Sequence, residues 1–168
     1  MKKRLDIQKT YKLYINGKFA RTESGRYSPV HDGDGKLVAN VCQASRKDFR
    51  EAVKSARNAT SGWSSRTAYN RGQILYRTAE ILEGRKAGFT EELVTMGIKR
   101  NNAEEEVENS LDRLVYYAGW TDKYQQLFSS VNPVSSSHYN FSVPEYQGII
   151  AIIPPENIPL LGLVSLIS

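Results

Sequence analysis

The sequence has a single cysteine, Cys42, so no disulfide can form within the chain. One thiol suits a reducing, cytoplasmic setting and a core held by apolar burial rather than by covalent staples. Histidine is almost as scarce. His31 stands beside the turn Asp32-Gly33-Asp34-Gly35, and His138 lies in a serine-rich connection. Neither has a second ligand at hairpin or helical spacing, so no metal centre is predicted. Charge of one sign is missing too. The 23 basic and 18 acidic residues leave a formal net charge of +5, but Met1-Lys2-Lys3-Arg4 supplies three of the cations and the others alternate with acids. That pattern excludes the clustered cations and interleaved aromatics of a nucleic-acid surface. No apolar stretch follows the basic start, where Asp6, Gln8 and Lys9 intervene, so no secretory signal is read.

Only one long apolar tract occurs, Gly148 to Ile167, and Pro154, Pro155, Glu156 and Asn157 interrupt its centre. A charge and two prolines at mid-bilayer cost too much for a membrane span, which leaves a buried globular segment. The tract reads as a buried parallel strand from Gly148 to Ile153, a sharp turn, and a buried helix from Leu160 to Ile167. This is how an α/β nucleotide-binding domain opens. Its further strand and helix units are not in the sequence, so the chain is expected to be the front part of something larger.

Upstream, Tyr11 to Phe19 alternates around Asn16-Gly17, a pair suited to a two-residue hairpin turn. Tyr27 to Val30 and Leu37 to Val41 form a second predicted strand pair across the Asp-Gly turn. Ser45 and Asp48 resemble a capping box, and Phe49, Val53 and Ala56 predict a helix from Arg46 to Asn58. Thr67 can cap the next helix, whose stripe is Leu75, Ala79 and Leu82. Gly84 and Gly88 weaken it before Phe89, Leu93 and Met96, so two helices or one bent helix are expected. Glu104, Glu105 and Glu106 read as the acidic start of a long helix with Val107, Leu111, Leu114 and Ala118 on one face, reaching Leu127. Tyr116, Tyr117, Trp120 and Tyr124 on that helix suit packing better than base stacking, which needs cations beside the rings. Ser129 to Ser137 is loop, and Tyr139 to Tyr146 is an extended segment, one arm of a hairpin.

Several phrases together resemble the N-terminal part of the NAD(P)-dependent aldehyde dehydrogenase superfamily, from Lys12 to Ser168. Tyr14-Ile15-Asn16-Gly17-Lys18-Phe19 is similar to the family's opening hairpin. Ala52 to Trp63 resembles its first helix, and Arg71 to Leu82 its second. Tyr116-Tyr117-Ala118-Gly119-Trp120 resembles the long helix before the oligomerisation hairpin, and Pro144 through Leu161 the first strand and turn of the nucleotide domain. Any one phrase is a weak signal; their order makes the resemblance specific.

The resemblance implies an α/β fold. β-Hairpins and helices (1–137) would pack onto the start of a Rossmann-like parallel sheet (148–168), with part of an oligomerisation hairpin (138–147). It implies a complete enzyme that oxidises an aldehyde to a carboxylic acid with NAD or NADP through a cysteine thiohemiacetal, as a homo-oligomer or beside a longer relative. Asn157 falls on the asparagine whose side-chain amide stabilises the developing oxyanion. The backbone of Ile153, Pro154, Pro155 and Glu156 falls on the segment that lies along the cofactor. Where the family has aromatic residues around that asparagine, this chain has Glu156 and Ile158. The matching region stops before the family's nucleophilic cysteine and general-base glutamate. Cys42, in an early strand, is not that nucleophile, so the 168-residue chain alone should not turn over aldehyde. The substitutions at 156 and 158 also suit a second reading, a non-catalytic module that oligomerises with or regulates a full-length relative.

Overall fold

The computed structural model describes residues 8–168. The basic run Met1 to Arg4 lies outside them. Strands β1 (Lys9–Tyr11), β4 (Tyr27–His31) and β5 (Leu37–Cys42) form a sheet in the order β1-β5-β4, with β1 parallel and β4 antiparallel to β5. β2 (Leu13–Ile15) and β3 (Lys18–Ala20) make the expected hairpin. Its turn needs positive φ twice, which Asn16 (53°) and Gly17 (73°) adopt.

Helix α1 (Arg46–Ser64) starts at the predicted capping box: Asp48 N–H donates to Ser45 Oγ, and Ser45 N–H donates to Asp48 Oδ2 at 2.8 Å. Asp48 does more than cap. Its carboxylate also accepts from the Thr22 hydroxyl at 2.6 Å and from Glu23 N–H, tying the strand region to the helix start. The Thr22 hydroxyl, then the Ser45 backbone bond, holds the Asp48 carboxyl well below the usual carboxylate range. α1 runs past Asn58 to Ser64, because no proline intervenes and Gly62 is tolerated near its end. The face expected to be buried is not: Phe49 is 66% exposed and Ala56 is exposed, while Val53 is half-buried.

The core lies among the later helices. Thr67 caps α2 (Ala68–Glu83) by accepting from Asn70 N–H, and α3 (Lys86–Thr95) follows as a separate helix beyond Gly84. α4 (Arg100–Ala118) buries Val107, Leu111, Leu114 and Ala118, as its periodicity predicts. Ala79, Leu82, Leu111, Leu114 and Val164 form one buried cluster, and Leu93, Ala103 and Val107 a second; Phe89 and Leu160 pack against both. Met96 stays out, at 64% exposure.

Two expectations about α4 need correction. It begins at Arg100, so the acidic triplet sits beyond its first turn, and Glu106 points inward at 6% exposure. It also stops at Ala118 rather than Leu127. The Thr121 hydroxyl donates to the Ala118 carbonyl, which a continuing helix would offer to the N–H of residue 122, and a turn precedes α5 (Tyr124–Phe128). Gly72 of α2 sits against this stop: a Cβ there would lie 2.7 Å from Thr121 Oγ1.

Beyond α5, β6 (Ser130–Val131) pairs antiparallel with β7 (Phe141–Ser142), so the expected loop contributes one strand of a short hairpin. Asn132 ties the hairpin across its open side, donating to Asn140 Oδ1 at 2.9 Å and to Ser142 Oγ at 3.0 Å. The expected buried strand Gly148 to Ile153 is a largely exposed segment without strand structure. Ile150 is 73% and Ile153 90% exposed, and no described strand pairs with it. A parallel strand needs neighbours on its edges and a layer on each face, and the described residues supply neither. α6 (Pro159–Ile167) then returns to the core through Val164. No helix among the described residues is long and apolar enough to cross a membrane.

Candidate functional site

The residues singled out in the sequence, Ile153 to Asn157, are consecutive and lie on the segment and turn that lead into α6. Pro154 is half-buried, whereas Pro155, Glu156 and Asn157 are exposed. Two contacts hold this turn. The Pro155 ring lies against Gly162 of α6, and a Cβ at 162 would meet Pro155 Cδ and come within 2.8 Å of Cγ. Beneath the helix start, Glu106 Oε1 accepts from Leu160 N–H at 2.8 Å and from Leu161 N–H at 3.1 Å.

The local chemistry explains why a distant carboxylate is needed. A helix leaves its first N–H groups without intrahelical partners. Pro159 in the first turn has none to satisfy and presets φ for the helix. Ile158 at the N-cap brings no side-chain acceptor. Leu160 and Leu161 are therefore served from α4. Glu106 was missed as a functional residue in the sequence, although a signal was present. It falls in phase with Ala103, Ser110 and Leu114, so one member of the acidic triplet had to face the core.

The stretch Ile153 to Glu156 has an uneven hydrogen-bonding inventory. Every residue offers a carbonyl, but Pro154 and Pro155 lack an N–H, and none of these groups bonds another described residue. It is acceptor-rich, includes the exposed Ile153 and follows the exposed Ile149 and Ile150. Hydroxyl and carboxamide donors on a flat apolar body suit it. Phosphates do not, since the nearest helix amides are already engaged by Glu106 and an exposed carboxylate, Glu156, precedes them in the chain.

Cys42, on β5, is half-buried and free. It lies in a strand paired on both sides, far in the chain from the Asn157 turn.

Hairpins and a small mixed sheet followed by a helical layer, with an exposed Pro-Pro turn at the start of the last helix, define a mixed α/β chain. The profile of the aldehyde dehydrogenase family matches residues 19–167, and the chain belongs to that family. It is 31% identical over 170 residues to the mitochondrial 10-formyltetrahydrofolate dehydrogenase of Homo sapiens, covering 94% of this chain and 18% of that protein. It is 30% identical to the putative aldehyde dehydrogenase DhaS of Bacillus subtilis, covering 95% of this chain and 33% of the relative. Among solved structures, PnpE in complex with nicotinamide adenine dinucleotide superposes at TM-score 0.86 with 26% identity over 94% of this chain and 32% of that one. The NAD+ complex of the Bacillus cereus aldehyde dehydrogenase superposes at TM-score 0.73 with 25% identity, over 79% of this chain and 28% of that one. The chain therefore spans a third or less of the length of these relatives.

Proposed function

We propose that this chain is the N-terminal portion of an aldehyde dehydrogenase that, when complete, oxidises an aldehyde to a carboxylic acid with NAD or NADP. The observation that carries the reading is the turn itself: Asn157 is exposed at the start of a helix whose first turn is fixed to the core. Its side-chain amide donates without a titrating proton of its own, which suits a developing oxyanion. The backbone of Ile153, Pro154, Pro155 and Glu156 would hold the nicotinamide riboside end through its carbonyls. When bound, the cofactor supplies the hydride acceptor. A cysteine nucleophile and a general-base glutamate would come from the remaining part of the enzyme, since Cys42 lies in a paired strand.

In this reading residues 1–137 and 148–168 belong to the cofactor-binding part, and 138–147 to an oligomerisation segment. Exposed Tyr139, Phe141, Val143 and Tyr146 give that segment an apolar surface suited to a second copy. The working setting would be the cytoplasm.

The test is to capture the native protein from its cells with an antibody to this region, weigh it, and assay aldehyde-dependent NAD(P)H formation. A product about three times the mass of this chain, active with an aldehyde, supports the reading. A 19.0 kDa product without activity overturns it and leaves a partner role beside a longer relative.

A further inference from the structure

Glu106 and Asn157 are far apart in the chain, yet the path between them is short in bonds. Glu106 Oε1 accepts from Leu160 and Leu161, whose helix begins at Pro159, two residues after Asn157. Glu106 is held inside the helical layer. Glu106 is 6% exposed, and its backbone carbonyl accepts from the wholly buried Ser110 hydroxyl at 2.7 Å. One oxygen serving two N–H groups leaves the helix start little freedom to slide or tilt on α4, and the negative charge favours the positive end of the α6 dipole. The Pro155 ring against Gly162 closes the turn from the other side.

We infer that Glu106 is a positioning residue for the Asn157 amide: it fixes the first turn of α6 to α4 and so sets where that donor stands. The inference rests on the oxyanion reading of Asn157. It goes beyond that reading by making the strength of oxyanion stabilisation depend on a buried carboxylate that never meets substrate. A donor a fraction of an ångström out of place loses much of its effect in the transition state, so a residue acting only through the backbone can alter turnover.

The experiment is amide hydrogen exchange and 15N relaxation on the 168-residue chain carrying Ile150→Lys to suppress self-association, comparing Glu106 with Glu106→Ala, Glu106→Gln and Glu106→Asp in that background. Exchange at Leu160 and Leu161 should accelerate about ten- to a hundred-fold in Glu106→Ala, the range for losing a charge-assisted hydrogen bond. Gly162, whose N–H bonds Ile158 O at 2.8 Å, is the internal reference and should change less. The Asn157 order parameter should fall from about 0.85 towards 0.6. Glu106→Gln keeps an acceptor and should restore part of both readouts, whereas Glu106→Asp is too short and should not. Should Glu106→Ala unfold, the Gln and Asp variants decide the question alone. Unchanged exchange at 160 and 161, or an Asn157 as rigid as with Glu106 in place, overturns the inference. In the native enzyme the same variants should lower kcat while the KM for cofactor holds. If Asn157→Ala leaves kcat unchanged, the oxyanion reading fails, and the exchange data still report separately on Glu106.

Discussion

Gly162 and the Pro155 ring are packed so closely that a side chain at 162 has no room: an added Cβ would come within 2.8 Å of Pro155 Cγ. In an ordinary helix interior, glycine to alanine stabilises by about 0.5–1 kcal/mol, because glycine loses more backbone freedom on folding. Here the sign should reverse. Overpacking costs about 1–3 kcal/mol, so Gly162→Ala should destabilise by about 1–2 kcal/mol in denaturant unfolding. Pro155→Ala removes the obstacle. In that background Gly162→Ala should be neutral or stabilising, and strictly additive effects in the double-mutant cycle would show that the contact is not what requires glycine.

Asp48 gives the chain an acid-sensitive joint. Its folded carboxyl titrates below the unfolded value, held there first by the Thr22 hydroxyl and then by Ser45. A depressed carboxylate contributes stability that is fully present above the unfolded pKa, near 3.9, and is lost as pH falls below it towards the folded value. Unfolding midpoints should therefore be insensitive to this group from neutral pH to about 5 and drop more steeply below about 4 in wild type than in Asp48→Asn. Equal slopes for the two proteins in the acid range would contradict this role.

The unpaired segment Gly148 to Ile153 should be adhesive. Ile150 and Ile153 are 73% and 90% exposed on a segment that pairs with no described strand. Such an edge recruits other strands or other copies. The isolated chain should bind an apolar dye strongly and associate with rising concentration. Ile150→Lys should raise the association midpoint about ten-fold or more, since each isleucine-sized burial is worth about 1.5–3 kcal/mol. Dye binding no higher than for an ordinary compact domain, in wild type and variant alike, would contradict this.

Local rules carried far in this sequence. The Asn16-Gly17 hairpin, the Ser45 and Asp48 capping box, the Thr67 cap and the buried face of α4 follow from turn chemistry and periodicity, and the structure has each of them. What was not legible depends on distant groups. The Thr22 hydroxyl on Asp48 joins residues 26 positions apart, and Glu106 reaches residues 54 and 55 positions away. No window of sequence holds both partners. The apolar run at 148–153 shows the opposite limit: its composition is that of a buried strand, but a strand needs a neighbour, and composition does not say where that neighbour is. The turn at 154–158 was legible as a break, and its tie to the α4 carboxylate was not.

The most direct test of the oxyanion reading is the turnover of the native enzyme with Asn157→Ala introduced into its gene. Loss of one oxyanion donor should lower kcat about 10²- to 10³-fold, with cofactor affinity unchanged. Wild-type turnover in that variant would contradict the assignment of Asn157, and with it the account of why the α6 start is held so firmly.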